Sequence, residues 1–183
     1  ALPLEMLRKA AIPFEVNPLG RKLNERDLMA MLPGVEVLIA GTEPLSKTVL
    51  EAATDLRLIA RVGIGLDSVD LNVARSRGIA VTYTPDAPAP AVAELTMGLV
   101  LSLLRSIHIA NAEMHNGKWL RFSGKRLSQS TLGIIGYGRI GQRVAQLVSR
   151  LGCNAILIND VEERQSPYPL HNIVWTDKRT IYR

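Results

Sequence analysis

Short apolar runs and segments of helical periodicity alternate along the first half of the chain. Strand-like runs occupy residues 12–16, 35–40, 56–62 and 79–83. Between them, the spacing of apolar residues predicts helices at 24–31, 46–53 and 70–77, the first two opened by the capping residues Asn24 and Ser46. Because strands that alternate with helices form parallel sheets covered by helices, the pattern predicts an α/β fold.

A proline cluster interrupts this alternation. Three prolines between residues 85 and 90 predict a hinge or linker. The next segment, 91–107, is apolar on almost every side, which predicts a helix that is buried all round, between two lobes. We therefore expect one lobe at residues 1–90 and a second at 91–183.

A glycine motif stands in the second lobe. The apolar run 131–135 predicts a buried strand, and the helical periodicity of 140–151 predicts the helix that follows it. Gly136, Gly138 and Gly141 join the two in a GxGxxG spacing. In this context Gly136 permits a tight turn, Gly138 lets a pyrophosphate approach the backbone, and Gly141 lets the helix pack closely on the strand. The amides at the helix N-terminus then face the phosphates.

An acidic residue follows the next strand. Gly152 is placed to end the helix, residues 155–158 predict a strand, and Asp160 comes after it. A carboxylate about 20 positions beyond such glycines accepts hydrogen bonds from the adenosine ribose, and it favours NAD over NADP. The alternative is a plain α/β glycine turn followed by a surface aspartate.

Composition and charge narrow the function classes. The chain is 47% hydrophobic and 21% charged, as in globular proteins that bury a core. Its longest uncharged apolar stretch, 95–104, is too short to cross a bilayer, and no secretion signal is apparent. Cys153 is the only cysteine, which favours a reducing, cytoplasmic setting. The net charge of +5 comes from scattered residues without a basic stripe, so we expect no nucleic-acid partner.

Five segments, taken in order, resemble one family. They are 61–70 (RVGIGLDSVD), 77–81 (RGIAV), 91–96 (AVAELT), 117–119 (GKW) and the glycine motif. Together they resemble the D-isomer-specific 2-hydroxyacid dehydrogenases, and the phosphoglycerate dehydrogenase-like members in particular. The resemblance covers roughly residues 35–160.

The resemblance implies a fold and an activity. It implies a flavodoxin-like substrate lobe and a Rossmann dinucleotide-binding lobe that close over a small anionic 2-hydroxy or 2-oxo acid. Hydride then passes between C2 of the substrate and the nicotinamide of NAD. The resemblance also implies a homodimer.

The family pattern assigns roles to individual residues. The loop Val62, Gly63 and Ile64 leaves a buried strand, where its amides can face the substrate carboxylate; the alternative is a simple strand-to-helix turn. The cofactor-binding residues that the resemblance implies are Thr96, Gly136, Tyr137, Gly138, Arg139, Ile140, Gly141 and Asp160. For Thr96 the alternative is a hydrogen bond to its own helix, and for Arg139 it is an exposed helix position.

Two departures from the family pattern concern substrate and cofactor. Pro88-Ala89-Pro90 stands where many relatives have an Asn near the substrate, so the identity of the substrate stays open. The spacing from Gly152 to Asp160 is one residue longer than usual, so Asn159 is the alternative ribose contact. In that case the preference for NAD over NADP weakens.

The end of the chain is the largest departure. The resemblance implies a substrate-clamping Arg and a His paired with a carboxylate, all well beyond the ribose-binding acid, yet the chain ends at Arg183. His171, Asp177 and Arg179 lack the family's surrounding motif, and residues 173–175 are better interpreted as a packing segment. We therefore expect a truncated dehydrogenase with an incomplete Rossmann lobe, a substrate lobe that lacks its C-terminal return, and no catalytic residue or metal site. The alternative is a catalytically silent dinucleotide-binding module or a corepressor-like sensor.

Overall fold

The computed structural model describes residues 2–167 and 169–183. It shows the mixed α/β fold with parallel sheets that the sequence predicts, and each of the two sheets has three strands. The residues cluster into two compact units, Ala1–Thr84 and Pro85–Arg183. Each unit has its own hydrophobic core.

The first unit is built around a parallel sheet with the strand order β1-β2-β3. Its elements are α1 (Leu2–Lys9), α2 (Glu25–Met31), β1 (Val37–Ala40), α3 (Lys47–Ala52), β2 (Leu58–Arg61), α4 (Leu71–Ser76) and β3 (Ala80–Tyr83). The register pairs Arg61, the last residue of the central strand, with Ala40 and with Tyr83. The carboxyl ends of all three strands therefore lie at one edge of the sheet.

Two helices of this unit begin at side-chain caps. Asn24 accepts a hydrogen bond from the N–H of Asp27 at 2.9 Å, and the Asp27 carboxylate accepts one from the N–H of Asn24, also at 2.9 Å, so a capping box opens α2. Asp70 caps α4 through the N–H of Val73 at 3.0 Å. Ser46 stands at the N-terminus of α3 as predicted, but its side chain makes no capping bond.

The second unit has its own parallel sheet, with the strand order β4-β5-β6. Its elements are α5 (Ala89–Leu104), α6 (Ile107–His115), the 3-10 helix Leu127–Gln129, β4 (Thr131–Ile135), α7 (Arg139–Arg150), β5 (Ala155–Asn159), β6 (Ile173–Trp175) and α8 (Lys178–Ile181). Gly152 ends α7 at φ +79, the left-handed conformation of a glycine cap.

The last residues of the chain pack onto this sheet. Strand β6 pairs in parallel with β5, which agrees with the prediction that residues 173–175 form a packing segment. Helix α8 lies against β4, where a Cβ at Gly133 would collide with Cγ2 of Ile181. Gly133 therefore makes room for α8.

One predicted strand is absent from the part of the chain that the structure describes. Residues 12–16 join no sheet, and their apolar side chains are exposed. Pro13 removes a backbone donor that a ladder needs. Phe14 instead lies under the guanidinium of Arg8, at 5.6 Å from the ring centroid, and residues 2–9 form a helix that the periodicity did not predict.

The predicted helix over 91–107 forms as α5, but the expectation that it is buried on every side is wrong. Leu95, Leu99 and Leu103 are 63%, 57% and 70% exposed, whereas Ala93 and Met97 are buried. The sequence could not indicate which face of this helix is buried, because both faces are apolar. Hydrophobic periodicity identifies a buried face only when the opposite face is polar. The helix also ends earlier, at Leu104, and α6 follows.

Across residues 2–167 and 169–183, no single helix is long and apolar enough to cross a bilayer. Only α5 and α6 taken together reach that length and composition, and they are bent by 69° where they meet.

Candidate functional site

The glycine turn joins β4 to α7 in the second unit. Gly136 leaves the strand at φ +98, a conformation that favours glycine. Its N–H donates to the carbonyl of Asn159 at 2.8 Å. From the first turn of α7, Gln142 Nε2 donates to the carbonyl of Tyr137 at 3.1 Å. These bonds tie the turn to the end of β5 and to α7, so its backbone is held in place.

Gly141 sets how closely α7 approaches β4. A Cβ at this position would collide with the carbonyl oxygen of Gly136 and lie 3.4 Å from Cγ2 of Ile134. The helix can therefore pack this closely only on a glycine, which is the packing role that the sequence predicts for this residue.

Gly138 caps α7 and has open space beside it. It adopts φ −82 and ψ −157, and no atom lies within 4 Å of the place where a Cβ would stand. The first N–H groups of a helix have no acceptor within the helix, and the helix dipole favours an anion in front of them. The turn thus offers room and backbone donors of the kind that a dinucleotide pyrophosphate needs.

Asp160 lies directly against this turn. Its Oδ2 accepts a hydrogen bond from the N–H of Tyr137 at 2.6 Å, and its Oδ1 accepts one from the N–H of Val161 at 2.6 Å. These two backbone donors, Tyr137 first, lower the pKa of the carboxyl below its usual value. The group is therefore charged at neutral pH, and its oxygens retain lone pairs that can accept further hydrogen bonds from hydroxyl groups.

Asn159, the alternative ribose contact, uses its side chain elsewhere. Its Nδ2 donates to the carbonyl of Thr176 at 2.8 Å, beyond the end of β6. The amide thus links two strand ends of the second unit, while the carboxylate of the next residue lies at the glycine turn. Of the two side chains, only the Asp160 carboxylate accepts a hydrogen bond from the glycine turn.

The side chains of Tyr137 and Arg139 leave the turn in different directions. The ring of Tyr137 is 1% exposed and packs edge-on against Trp175, with 5.4 Å between ring centroids. Only the backbone of Tyr137 therefore lies at the turn. Arg139 is exposed, and its Nε pairs with Oδ1 of Asp86 at 2.6 Å.

Thr96 and Ile140 share a pocket with the turn. This pocket of about 380 Å³ is lined by Thr96, Val100, Leu132, Gly133, Ile134, Ile135, Gly136, Ile140, Gly141 and Val144. It contacts five consecutive residues from Leu132 to Gly136, so it runs along the edge of β4. The hydroxyl of Thr96 donates to the carbonyl of Val92 at 2.8 Å, which is the helix-bonding alternative for this residue.

The loop at Val62, Gly63 and Ile64 belongs to the first unit, where it leaves β2. The N–H of Val62 donates to the carbonyl of Ala40 at 2.8 Å, and the N–H of Gly63 donates to Oγ1 of Thr84 at 2.8 Å. Among the hydrogen bonds of the described residues, only the amide of Ile64 in this loop has no acceptor. The loop therefore has one open backbone donor rather than three.

Three further residues were not assigned a role from the sequence. Arg61 is buried beside Gly63, Thr84 accepts the Gly63 amide, and Asp86 pairs with Arg139. A charged residue at the end of an apolar strand was a signal for Arg61. Thr84 and Asp86 have no such signal, because their roles depend on contacts between residues far apart in sequence.

Of the C-terminal residues His171, Asp177 and Arg179, Asp177 has a structural role. Asp177 caps α8 by accepting a hydrogen bond from the N–H of Thr180 at 2.9 Å. In the part of the chain that the structure describes, no group of three His, Cys, Asp or Glu side chains is arranged to hold a metal ion.

Comparison with known proteins gives a consistent result. The family model for the catalytic domain of D-isomer specific 2-hydroxyacid dehydrogenases matches residues 3–179. A hydroxypyruvate reductase of Thermotoga maritima is 37% identical over 172 residues, which are 92% of this chain and 55% of that protein. A D-3-phosphoglycerate dehydrogenase of Methanocaldococcus jannaschii is 41% identical over 138 residues, 73% of this chain and 26% of that protein. The chain thus spans about half the length of the first relative and less of the second.

Solved structures share the fold. A crystal structure of a Thermus thermophilus protein superposes with a TM-score of 0.83 at 30% identity, over 97% of this chain and 61% of that one. The D-lactate dehydrogenase of Aquifex aeolicus, solved with NAD and lactic acid, superposes with a TM-score of 0.75 at 23% identity, over 98% of this chain and 54% of that one. The sequence match along most of the chain, together with this fold, shows that the chain belongs to the D-isomer-specific 2-hydroxyacid dehydrogenases.

Proposed function

We propose that the protein works in an NAD-dependent oxidoreductase that acts on the CH–OH group of a D-2-hydroxy acid. The observation that carries this proposal is the Asp160 carboxylate, held against the glycine turn by the N–H of Tyr137 at 2.6 Å. An acid at this place beside open helix amides suits a dinucleotide. When bound, the nicotinamide would supply the hydride acceptor.

The lobe assignment is part of the same proposal. Residues 1–90 form the flavodoxin-like substrate lobe, and residues 91–183 form the first part of a Rossmann lobe. The sheet order β4-β5-β6 supports the second assignment, because it matches one half of a doubly wound dinucleotide-binding sheet.

The cofactor is NAD rather than NADP in this proposal. A carboxylate that is charged at neutral pH would repel the extra phosphate of NADP, and the lowered pKa of Asp160 keeps it charged. The amide of Asn159 is engaged with Thr176, which supports Asp160 as the ribose contact.

The substrate is a small anionic 2-hydroxy or 2-oxo acid, as in phosphoglycerate dehydrogenase-like enzymes. Two relatives named for such activities support this class, a hydroxypyruvate reductase and a D-3-phosphoglycerate dehydrogenase. The loop at residues 62–64 is the proposed site of the substrate carboxylate. The buried Cys153, the only cysteine, supports a reducing, cytoplasmic location.

A homodimer is the proposed assembly. The exposed side chains of Leu95, Leu99 and Leu103 recur at the spacing of one helix face on α5. A contiguous apolar surface of this kind marks an interaction site. Sedimentation of the chain, and of a variant with Leu99→Glu, tests this assembly: the variant is expected to be monomeric.

The competing proposal is a catalytically silent dinucleotide-binding module or corepressor-like sensor. The glycine turn and Asp160 serve either function, since both need cofactor binding. The experiment that tests both titrates NAD into the 183-residue chain by calorimetry and then follows NADH absorbance with a panel of 2-oxo acids.

The outcomes are distinct. NAD binding with oxidation of NADH above background supports the enzyme and contradicts the expectation that residues 1–183 lack its catalytic residues, whereas NAD binding without turnover agrees with both functions. No NAD binding contradicts both. Asp160→Ala is the variant expected to lose NAD binding, and Asp177→Ala, which removes only the cap of α8, is its matched control.

A further inference from the structure

A carboxylate at the carboxyl edge of the first sheet has a buried oxygen without a hydrogen-bond donor. Glu43 stands in the loop that leaves β1 and is half-buried. Its Oε2 is buried, and none of the described residues donates to it. The ion pairs found among residues 2–167 and 169–183 do not include Glu43. Because a buried polar atom without a partner is unfavourable, a ligand that supplies a donor here is stabilised.

Gly41 determines where this carboxylate lies. A Cβ on Gly41 would stand 3.2 Å from both Oε1 and Oε2 of Glu43. The side chain of Glu43 therefore turns back over the first residue after β1, where only a glycine leaves it ordinary contact distance. Its carboxylate lies against the backbone at the edge of the sheet.

The loop that carries Glu43 is fixed to a second loop of the same unit. Two residues after Glu43, the N–H of Leu45 donates to the carbonyl of Ser68 at 2.7 Å, and the carbonyl of Leu45 accepts from the N–H of Asp70 at 2.9 Å. The side chain of Leu45 is fully buried. A polar group on a backbone held in this way loses little conformational entropy when it binds a ligand.

The carboxylate lies beside the proposed site of the substrate acid. Strands β1 and β2 are neighbours, with Ala40 paired to Arg61, and the N–H of Val62 donates to the carbonyl of Ala40 at 2.8 Å. Gly41 therefore continues one strand where Val62 continues the next, and neighbouring strands lie about 4.8 Å apart. A three-carbon acid bound through its carboxylate at the loop that leaves β2 can thus reach Glu43 with its other end.

The chemistry of a carboxylate restricts what that other end can carry. An ionised carboxylate only accepts hydrogen bonds, so it binds a hydroxyl group, which donates one. A phosphate in the same place brings further negative charge, and two like charges at this separation repel each other. One side chain therefore attracts one class of acid and repels another.

We propose that Glu43 determines specificity at C3 of the substrate: it accepts a hydrogen bond from a hydroxyl group on C3 and excludes acids that carry a phosphate there. This inference rests on the proposed function and narrows its substrate class to unphosphorylated acids with a C3 hydroxyl. Glu43 takes no part in hydride or proton transfer in this proposal, so its effect is on which acid binds.

The first test uses the wild-type 183-residue chain labelled with ¹⁵N, and follows the open amide of Ile64 during titration at constant ionic strength. D-Glycerate is expected to bind at least about threefold more tightly than D-lactate, which lacks the C3 hydroxyl. It is also expected to bind at least about tenfold more tightly than 3-phospho-D-glycerate. Equal affinity for D-glycerate and D-lactate overturns the hydroxyl contact, and tighter binding of the phosphorylated acid overturns the exclusion of phosphate.

The second test changes the charge and keeps the shape. Glu43→Gln is expected to bind 3-phospho-D-glycerate at least about tenfold more tightly than the wild type does, and D-glycerate no more tightly. The matched control is Glu36→Gln, which removes an exposed carboxylate just before β1, at the opposite end of the same strand. The control is expected to show the wild-type affinities. An unchanged ratio of the two affinities in Glu43→Gln overturns the inference.

The same titrations separate this inference from the proposed function. If all three acids move the Ile64 amide with equal affinity, the substrate loop stands and the role of Glu43 is wrong. If none of them moves it, the proposed substrate site is contradicted, and the role of Glu43 with it.

Discussion

Two glycine loops in this chain follow the same local pattern and carry opposite charges. Each leaves the carboxyl end of a parallel strand, β4 at Gly136 and β2 at Gly63, and each has a glycine with a positive φ near its start. At the first loop a carboxylate, Asp160, accepts a backbone amide. At the second, a guanidinium, Arg61, donates to a backbone carbonyl.

The difference shows that glycine spacing does not by itself define a ligand. The turn at Gly136 keeps the first amides of α7 open and has a negative charge beside them, which suits a ligand with both phosphates and hydroxyl groups. In the loop at residues 62–64, the amides of Val62 and Gly63 already donate hydrogen bonds within the unit, and only that of Ile64 is open. The charged group beside this loop is the buried, positive guanidinium of Arg61. This loop suits a compact anion.

The largest expected effect, on both stability and NAD binding, comes from Gly141→Ala, which disrupts the packing of α7 on β4 at the first loop. The added Cβ would collide with the carbonyl of Gly136, so α7 must move away from β4, and overpacking of this kind costs about 1–3 kcal/mol. Chemical denaturation is expected to show this loss of stability together with loss of NAD binding.

Gly138→Ala is the matched control for that substitution. No atom lies within 4 Å of its Cβ position, and its φ of −82 is allowed for alanine. Stability is expected to change by less than about 0.5 kcal/mol, while NAD binding is lost because the methyl group occupies the space of the pyrophosphate. Equal destabilisation by the two variants would contradict the assigned roles.

Gly63→Ala tests the second loop, with an expected loss of stability of similar size. The methyl group would meet the guanidinium of Arg61, and φ +147 is strained for alanine, which together cost about 1–3 kcal/mol. In an Arg61→Ala background only the backbone strain remains, so the two substitutions are expected to couple by about 0.5 kcal/mol or more in thermal unfolding. Simple additivity would show that the two residues do not share this space.

Asp160→Asn removes the negative charge at the first loop. The amide keeps the shape of the side chain but removes the negative charge that strengthens hydrogen bonds from the ribose hydroxyls, so NAD affinity is expected to fall about tenfold or more. The variant is also expected to discriminate less against NADP, as competition binding would reveal.

The pH dependence of Asp160 follows from its lowered pKa. A carboxyl with a lowered folded pKa stabilises the fold above its unfolded pKa, and this contribution is lost as the pH falls through the folded pKa. The thermal midpoint of the wild type is therefore expected to fall more steeply in acid than that of Asp160→Asn, with no difference in slope across neutral pH.

The smallest expected effect is that of Asp86→Asn. It breaks an exposed ion pair with Arg139, and such pairs contribute about 0–1 kcal/mol. Because Arg139 is then released beside the glycine turn, NAD binding is expected to tighten by about twofold at low salt and to be unchanged at high salt. A large loss of NAD binding would instead show that Asp86 holds the turn in shape.

The local elements of the fold were predictable from the sequence where short-range rules apply. The capping box at Asn24, the cap at Asp70 and the glycine end of α7 at Gly152 each depend on residues within one helical turn. The prediction of a strand at 12–16 was wrong, because a strand needs a neighbouring strand to pair with and the local pattern does not show whether one is present. The prediction that α5 is buried on every side was also wrong, because an apolar helix has no polar face that would identify its exposed side.

The candidate site was likewise predictable only where it depends on residues close together in sequence. The sequence by itself determined that a strand, a glycine turn and a helix follow one another at Gly136 to Gly141, because spacing and backbone freedom are local properties. It also determined that an acid comes after the next strand.

Only the tertiary structure decided which groups meet. It brought Asp160 rather than Asn159 to the Tyr137 amide, 23 residues away, and it placed Thr84 on the amide of Gly63, 21 residues away. Within residues 2–167 and 169–183, it also left the charge of Arg61 without a carboxylate partner. These contacts depend on the register of the strands and on the direction in which each side chain leaves the sheet. Both are set by the packing of the whole unit.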